Sequence, residues 1–335
     1  MVEAEEATRA EQSADSIDAL HWGRWRDWLE LVRLPLVFTL VTDNIAASVL
    51  VAGGLTPLTA WLPLLLASLC AYWGGMILND VADLEQDRIE RPKRPLPSGR
   101  ISPALAGHVG NALLLIGPVL VLGVVAWHPT EPLWMGAAFV AAVLLSVCVR
   151  AYDSWLKRTP LGPILMGACR GGHVLMVGLA MYSLQEDPRP PRVLLVFAQS
   201  IGLYIVGVTT YARREAAVSH RMSLALGIVL EMAGLGLLAT LPRWQDGQGQ
   251  QWLLSPTVQF PLLILLISLT VLHRGLRGLL LPTPRHVQLA VKHALLTLIL
   301  LDAAVVAMWA GSWPGAAVAL LVLPSLASSR RLRTT

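Results

Sequence analysis

Asn79, Asp83 and Asp87 recur at four-residue intervals in the stretch NDVADLEQDRIERPKRPLPSGRIS, residues 79–102, and Asp80 lies three residues before Asp83. On a helix, that spacing stacks the three side chains on one face. Oxygen donors gathered this way suit Mg²⁺, a small cation that takes one or two carboxylates and leaves its other positions to phosphate oxygens and water. Arg88, Arg91, Lys93 and Arg94 follow at once, ahead of a Pro-Leu-Pro-Ser-Gly turn. Carboxylates beside fixed cations would hold a metal-bridged diphosphate. The same residues also fit a solvated loop in which acids and bases neutralise one another, and charge alone leaves both readings open. Other chemistry has no foothold: the chain has no Walker motif, GxGxxG fingerprint, GxSxG elbow or Cys/His metal spacing. Cys70, Cys148 and Cys169 lie far apart in apolar runs and read as buried helix residues.

The elements that must position these residues follow from composition. Of 335 residues, 55% are hydrophobic and 14% charged, with a mean hydropathy of +0.58; an average soluble domain carries about 25% charge. A soluble enzyme, a disordered chain and a disulfide scaffold are excluded, and a net charge of +4 is too small to indicate nucleic-acid binding. A bilayer core needs about 20 apolar residues per helix. Spans are expected at 34–53, 56–78, 103–126, 132–149, 161–183, 193–212, 222–241, 253–272 and 288–311. A tenth run, 314–328, is short and holds Pro314 and Pro324. The fold class expected is an all-α polytopic membrane bundle of nine helices, or ten if that run crosses, in a single domain over 34–329. Residues 1–20 are polar, lack an apolar signal-peptide core, and read as a disordered tail. Residues 21–33 bring Trp22, Trp25 and Trp28 at spacing three with arginines between them, the pattern of an amphipathic helix at the membrane interface. Residues 330–335 form a basic tail.

With the N-terminus in the cytoplasm, the loops after even-numbered spans hold most of the bases. They are Arg88, Arg91, Lys93, Arg94 and Arg100; Arg150, Lys157 and Arg158; Arg213, Arg214 and Arg221; and Arg274, Arg277 and Arg285. The opposite side holds Arg189, Arg192 and Arg243. This Lys/Arg asymmetry predicts a cytoplasmic N-terminus and cytoplasmic motif loops, in a multi-pass protein of the bacterial inner membrane surrounded by lipid.

The run NDxxDxxxD followed by RPxRPLPSGxIS closely resembles the first aspartate motif of the UbiA superfamily of intramembrane prenyltransferases. YDSWLKRTPLGPILMGACRG, residues 152–171, resembles that family's tyrosine–lysine loop between the fourth and fifth helices. The resemblance implies two four-helix halves around a central cavity. It implies a polyprenyl diphosphate donor bound through Mg²⁺ at the cytoplasmic mouth, ionising to an allylic cation that alkylates an acceptor of unknown identity. On this resemblance Asn79, Asp80, Asp83 and Asp87 are metal ligands, and Asp83, Asp87, Lys157 and Glu215 are the catalytic set. Arg88, Arg94, Arg158, Arg213, Tyr152 and Tyr211 are expected to contact substrate.

The second aspartate motif departs from the family pattern YAxxDxxxD. Here the stretch is TTYARREAAVSHR, residues 209–221, with Glu215 in the first acidic position and Ser219 in the second. Arg213 and Arg214 add positive charge, which implies one metal site weakened or lost and arginines meeting the diphosphate directly. This stretch and YDSWLKRTPLGP are similar to the branch called EboC, linked to export of secondary metabolites, although Leu165 and His173 stand where asparagines are expected. A non-catalytic member that binds a prenyl diphosphate or a lipid-like metabolite for export is the alternative function. Ionisable groups inside spans usually face a cavity or a partner. Asp43, beside Asn44, is a candidate for acceptor contact; an ion pair of Arg170 with Asp43 or Asp302 that only joins helices is the competing expectation. The Gly-Gly pairs at 53–54, 74–75 and 171–172 suit close helix packing.

Overall fold

The computed structural model describes residues 23–33, 36–154, 156–185, 191–213, 220–245 and 254–331. Among these residues the chain is entirely helical, without strands. A seven-residue helix, α1 (Trp25–Leu31), precedes α2 (Val37–Ala52), α3 (Leu58–Ala82) and the short α4 (Leu84–Glu90). Then come α5 (Pro103–Gly123), α6 (Pro132–Ser154), α7 (Gly162–Tyr182), α8 (Arg192–Ala212), α9 (Arg221–Ala239), α10 (Gln259–Leu280) and α11 (Pro284–Ala310). Two short helices, α12 (Ser312–Leu320) and α13 (Val322–Arg331), end the described chain.

Eight helices are long and apolar enough to cross a membrane, and α2 is a shorter apolar helix of 16 residues. Within a hydrocarbon core only such helices satisfy their own backbone groups. Their outer faces carry large apolar side chains, such as Leu115 and Val119 on α5 and Leu262, Leu265 and Leu269 on α10. In water that surface would be a liability; against lipid it is the expected exterior. The chain is a multi-pass integral membrane protein.

The helices follow one another in space and close into a ring. Each long helix packs on the next long helix, with α3 meeting α5 past the short α4; α11 returns to α2, and α2 also packs across the middle on α7. Small residues allow the close approaches. A Cβ on Gly171 of α7 would stand 2.9 Å from the Ala198 carbonyl of α8, and one on Gly74 of α3 would stand 2.9 Å from the Gly110 carbonyl of α5. Gly53, at φ +68°, ends α2 in the left-handed conformation that favours glycine.

Two expectations are corrected, and the one left open between nine and ten crossings is narrowed. The eighth expected span begins six residues later, at Gln259, after Pro256 in the turn before it, and its first turn is tied by the Gln259 side chain accepting from the Ser255 N–H at 2.7 Å. Arg274 and Arg277 therefore lie in the last turns of α10, where long side chains can reach the interface. The tenth run is broken at Leu321 into α12 and α13, each too short to cross alone. Asn79 and Asp87 do not share one straight helix, because the backbone turns at Asp83 (φ −94°, ψ 6°) between α3 and α4.

Candidate active site

The turn at Asp83 sorts the acidic motif into two sets. Asn79 and Asp83 face a cavity of about 740 Å³, and Gln86, rather than Asp87, continues its wall. The other walls come from Tyr152 at the end of α6, Lys157 and Arg158 in the following 3-10 turn, Pro163 on α7, Thr209, Ala212 and Arg213 at the end of α8, and His220 and Ser223 at the start of α9. Lys157 Nζ donates to Asp83 Oδ1 at 2.6 Å and to Asn79 Oδ1 at 3.3 Å. Arg158 Nη2 lies 4.0 Å from Asp83 and is largely exposed. Arg213 Nη2 donates to the Thr159 carbonyl at 2.9 Å, which ties α8 to the α6–α7 loop.

Asp80 and Asp87, both buried, lie in a separate ion-paired cluster. Arg94 Nη1 donates to Asp87 Oδ2 at 2.7 Å and lies 3.6 Å from Asp80 Oδ1. Arg33 Nη2 donates to the same Asp80 oxygen at 2.8 Å. Burial works against the Arg33 charge, but the Asp80 carboxylate outweighs it, so the guanidinium holds its proton more firmly than a free arginine. Arg33 takes up φ +48° and its carbonyl accepts from Tyr72 Oη at 3.2 Å. Arg88 is exposed and pairs with Glu85 at 2.8 Å on the outside of α4, away from the cavity.

Arg100 fastens the loop over this mouth. It donates to Asp27, to Glu30 at 3.3 Å, to the Lys93 carbonyl at 2.6 Å and to Ser98 Oγ at 3.1 Å. One guanidinium thus ties α1 to the 91–101 turn.

Deeper in the ring, Asp43 and Asn44 are fully buried. Arg170 Nε lies 2.5 Å from Asp43 Oδ2, and Arg170 Nη2 donates to the Thr39 carbonyl at 2.8 Å. Asn44 Nδ2 lies 2.9 Å from His173 Nε2 and donates to the Leu40 carbonyl at 3.1 Å. In that arrangement His173 accepts at Nε2 and carries its proton on Nδ1, which faces Asp43 Oδ2 at 3.5 Å. Asp302 accepts from Thr42 Oγ1 at 2.5 Å. The competing expectation of an Asp43–Arg170 pair joining helices is thus the geometry observed. Arg170 sits seven residues beyond Pro163, two turns below the mouth on the same face of α7. Tyr211 is placed elsewhere: its ring is buried and its hydroxyl donates to the Gly275 carbonyl at 3.0 Å, joining α8 to α10. Glu215, Arg214 and Ser219 lie outside the described residues.

The donor set bears on metal binding. Among the described residues, no three His, Cys, Asp or Glu side chains converge on one point. Asn79 and Asp83 do converge, because one ammonium sits between their oxygens. Two protein oxygens leaving the remaining positions to phosphate and water is a usual arrangement for Mg²⁺, so these residues fit that ion.

Residues 44–216 match the UbiA prenyltransferase family model. The chain belongs to that family. Among its relatives, a Sulfolobus acidocaldarius protein named digeranylgeranylglyceryl phosphate synthase is 36% identical over 54% of this chain and 62% of its own length. An Acidiphilium cryptum protein named protoheme IX farnesyltransferase is 34% identical over 46% of each. The chain thus spans less than two thirds of the length of these curated relatives. A solved structure described as concerning digeranylgeranylglyceryl phosphate synthase in membranes aligns over 85% of this chain and 98% of that one, at a TM-score of 0.61 and 20% identity. That likeness shows the UbiA fold.

Within this UbiA-family mouth, the sequence reading missed Asp153. It follows Tyr152 and is 3% exposed, with an enclosed Oδ2 that has no hydrogen-bond partner. Its signal was an acid between Tyr152 and Trp155, one helical turn before Lys157. Arg33 was missed too, because nothing local ties it to Asp80, 47 residues away.

Proposed function

We propose that this protein is a membrane prenyltransferase that binds a polyprenyl diphosphate at the mouth of the ring. Asn79 and Asp83 would hold one Mg²⁺, which on binding supplies positive charge to the leaving diphosphate. Lys157, Arg158 and Arg213 line the same cavity and would meet the phosphate oxygens directly. The observation that carries this reading is that cavity: among its lining residues one carboxylate, Asp83, faces three fixed cations. An anion with a single bridging metal suits that balance better than two metals do. The ionised prenyl group would then alkylate an acceptor admitted to the ring. The membrane would be the bacterial inner membrane, and the Lys/Arg asymmetry supports an orientation with the N-terminus and mouth in the cytoplasm. The EboC-like stretches at 152–163 and 211–215 support a place in that branch.

Purified protein in lipid nanodiscs, given labelled farnesyl diphosphate, Mg²⁺ and an extract of its host, is expected to release diphosphate. Lys157→Ala should slow release by about 100-fold, the usual loss when one charge-stabilising donor is removed. Tight binding with no release from any acceptor pool would favour the second reading, a non-catalytic carrier of prenyl diphosphates. That the described lining residues hold one carboxylate, Asp83, is the observation that keeps that reading in play.

A further inference from the structure

Lys157 Nζ occupies the point between Asn79 Oδ1 and Asp83 Oδ1 where a divalent ion held by those oxygens would stand. The lysine side chain is 12% exposed, so its charge is not simply released to bulk water. Two cations in so small and half-buried a space repel strongly. Loading the site therefore displaces the ammonium, which then needs another anion within reach.

Asp153 meets that need. It lies in the last turn of α6, four residues before Lys157, and is 3% exposed. A Cβ on Gly75 would stand 4.0 Å from its Oδ2, so the carboxylate is tucked against α3 one turn before Asn79. That oxygen is enclosed and accepts no hydrogen bond. Lys157 and Asp83 are both within its electrostatic reach, as are Arg150 and Arg33. A buried carboxylate oxygen left without a donor is costly and calls for an explanation.

We propose that Asp153 is a positioning residue that receives the Lys157 ammonium when the Asn79–Asp83 site takes up its divalent ion. Lys157 would then alternate between two carboxylates, on Asp83 in the empty site and beside Asp153 once the ion is held alone, and would swing back to the phosphate oxygens when the diphosphate arrives. The proposal rests on the metal-dependent reading above.

Mn²⁺ titration of the purified full chain, followed by the electron paramagnetic resonance signal of the free ion, tests it. Asp153→Asn should weaken Mn²⁺ binding about tenfold, because the displaced ammonium loses its partner, and Lys157→Met should tighten binding by a similar factor. In the Lys157→Met background, Asp153→Asn should change affinity by less than about twofold, since the two residues act as one unit. Asp153→Glu should restore wild-type affinity. Equal weakening by Asp153→Asn in both backgrounds overturns the proposal and makes Asp153 a direct ligand or a support of the fold. Failure of Lys157→Met to tighten binding overturns it independently, whether or not Asp153→Asn folds. If the wild type binds no Mn²⁺, the metal-dependent reading falls as well; if it binds and the cycle is additive, the alternation alone falls.

Discussion

Arg94 touches two buried carboxylates at once, Asp87 at 2.7 Å and Asp80 at 3.6 Å, and this decides what its loss would do. Arg94→Ala would leave Asp87 with only the distant Arg91, 3.9 Å away, and Asp80 with Arg33. Removing one partner of a buried ion pair costs about 3 kcal/mol or more, because the remaining charge stays desolvated. A melting curve in detergent should show Arg94→Ala destabilised, whereas Arg88→Ala, whose pair with Glu85 is exposed, should melt like the wild type. The sequence made the acids, bases and their proximity legible, but not their pairing. Three aspartates and an asparagine in nine residues could all face one metal; the turn at Asp83 sends Asp80 and Asp87 to Arg94 and leaves Asn79 and Asp83 at the cavity. Arg33 was illegible for another reason, since its pairing with Asp80 is made across the fold.

At the scale of elements, the spans were readable because lipid admits few alternatives to long apolar helices. What sequence could not give was which glycines touch. Gly171 meets the Ala198 carbonyl of α8, while a Cβ on Gly172 would point into open space. Gly171→Val should therefore destabilise the α7–α8 pair by about 1–3 kcal/mol through overpacking, and Gly172→Val should be nearly neutral; thermal unfolding of the two variants compares them directly. The short helix α1 gives a second expectation at this scale. Its attachment to the mouth runs through Arg100, so Arg100→Ala should release residues 24–31 to proteolysis earlier than the rest of the bundle. Equal protection in wild type and variant would show that the apolar contacts of Leu31 and Val32 hold α1 without the arginine.

At the scale of the molecule, the ring gathers most of its ion pairs at one end, buries Asp43, Arg170, His173 and Asp302 in a deep cluster, and carries large apolar side chains on the outer faces of its helices. On the proposed orientation, read from the Lys/Arg asymmetry, that end faces the cytoplasm. Reporter fusions at residues 98 and 158 should therefore read as cytoplasmic, and fusions at 129 and 245 as external; the reverse pattern would place the cavity on the other face of the membrane. Composition and motif sufficed for the bundle and for the position of its mouth. The reach from mouth to Arg170, Asp43 and Asp302 required the ring, because those groups come from α7, α2 and α11. On the proposed function, Asn79 and Asp83 bind a prenyl diphosphate through one divalent ion. That claim is tested most directly by equilibrium binding of labelled farnesyl thiodiphosphate, a hydrolysis-resistant analogue, with Mg²⁺ and with EDTA, to the wild type and to Asp83→Asn. Binding to the wild type is expected to be saturable, to weaken at least about tenfold in EDTA, and to fall to the same degree in Asp83→Asn. Binding of equal strength in EDTA, or undiminished in Asp83→Asn, would contradict it.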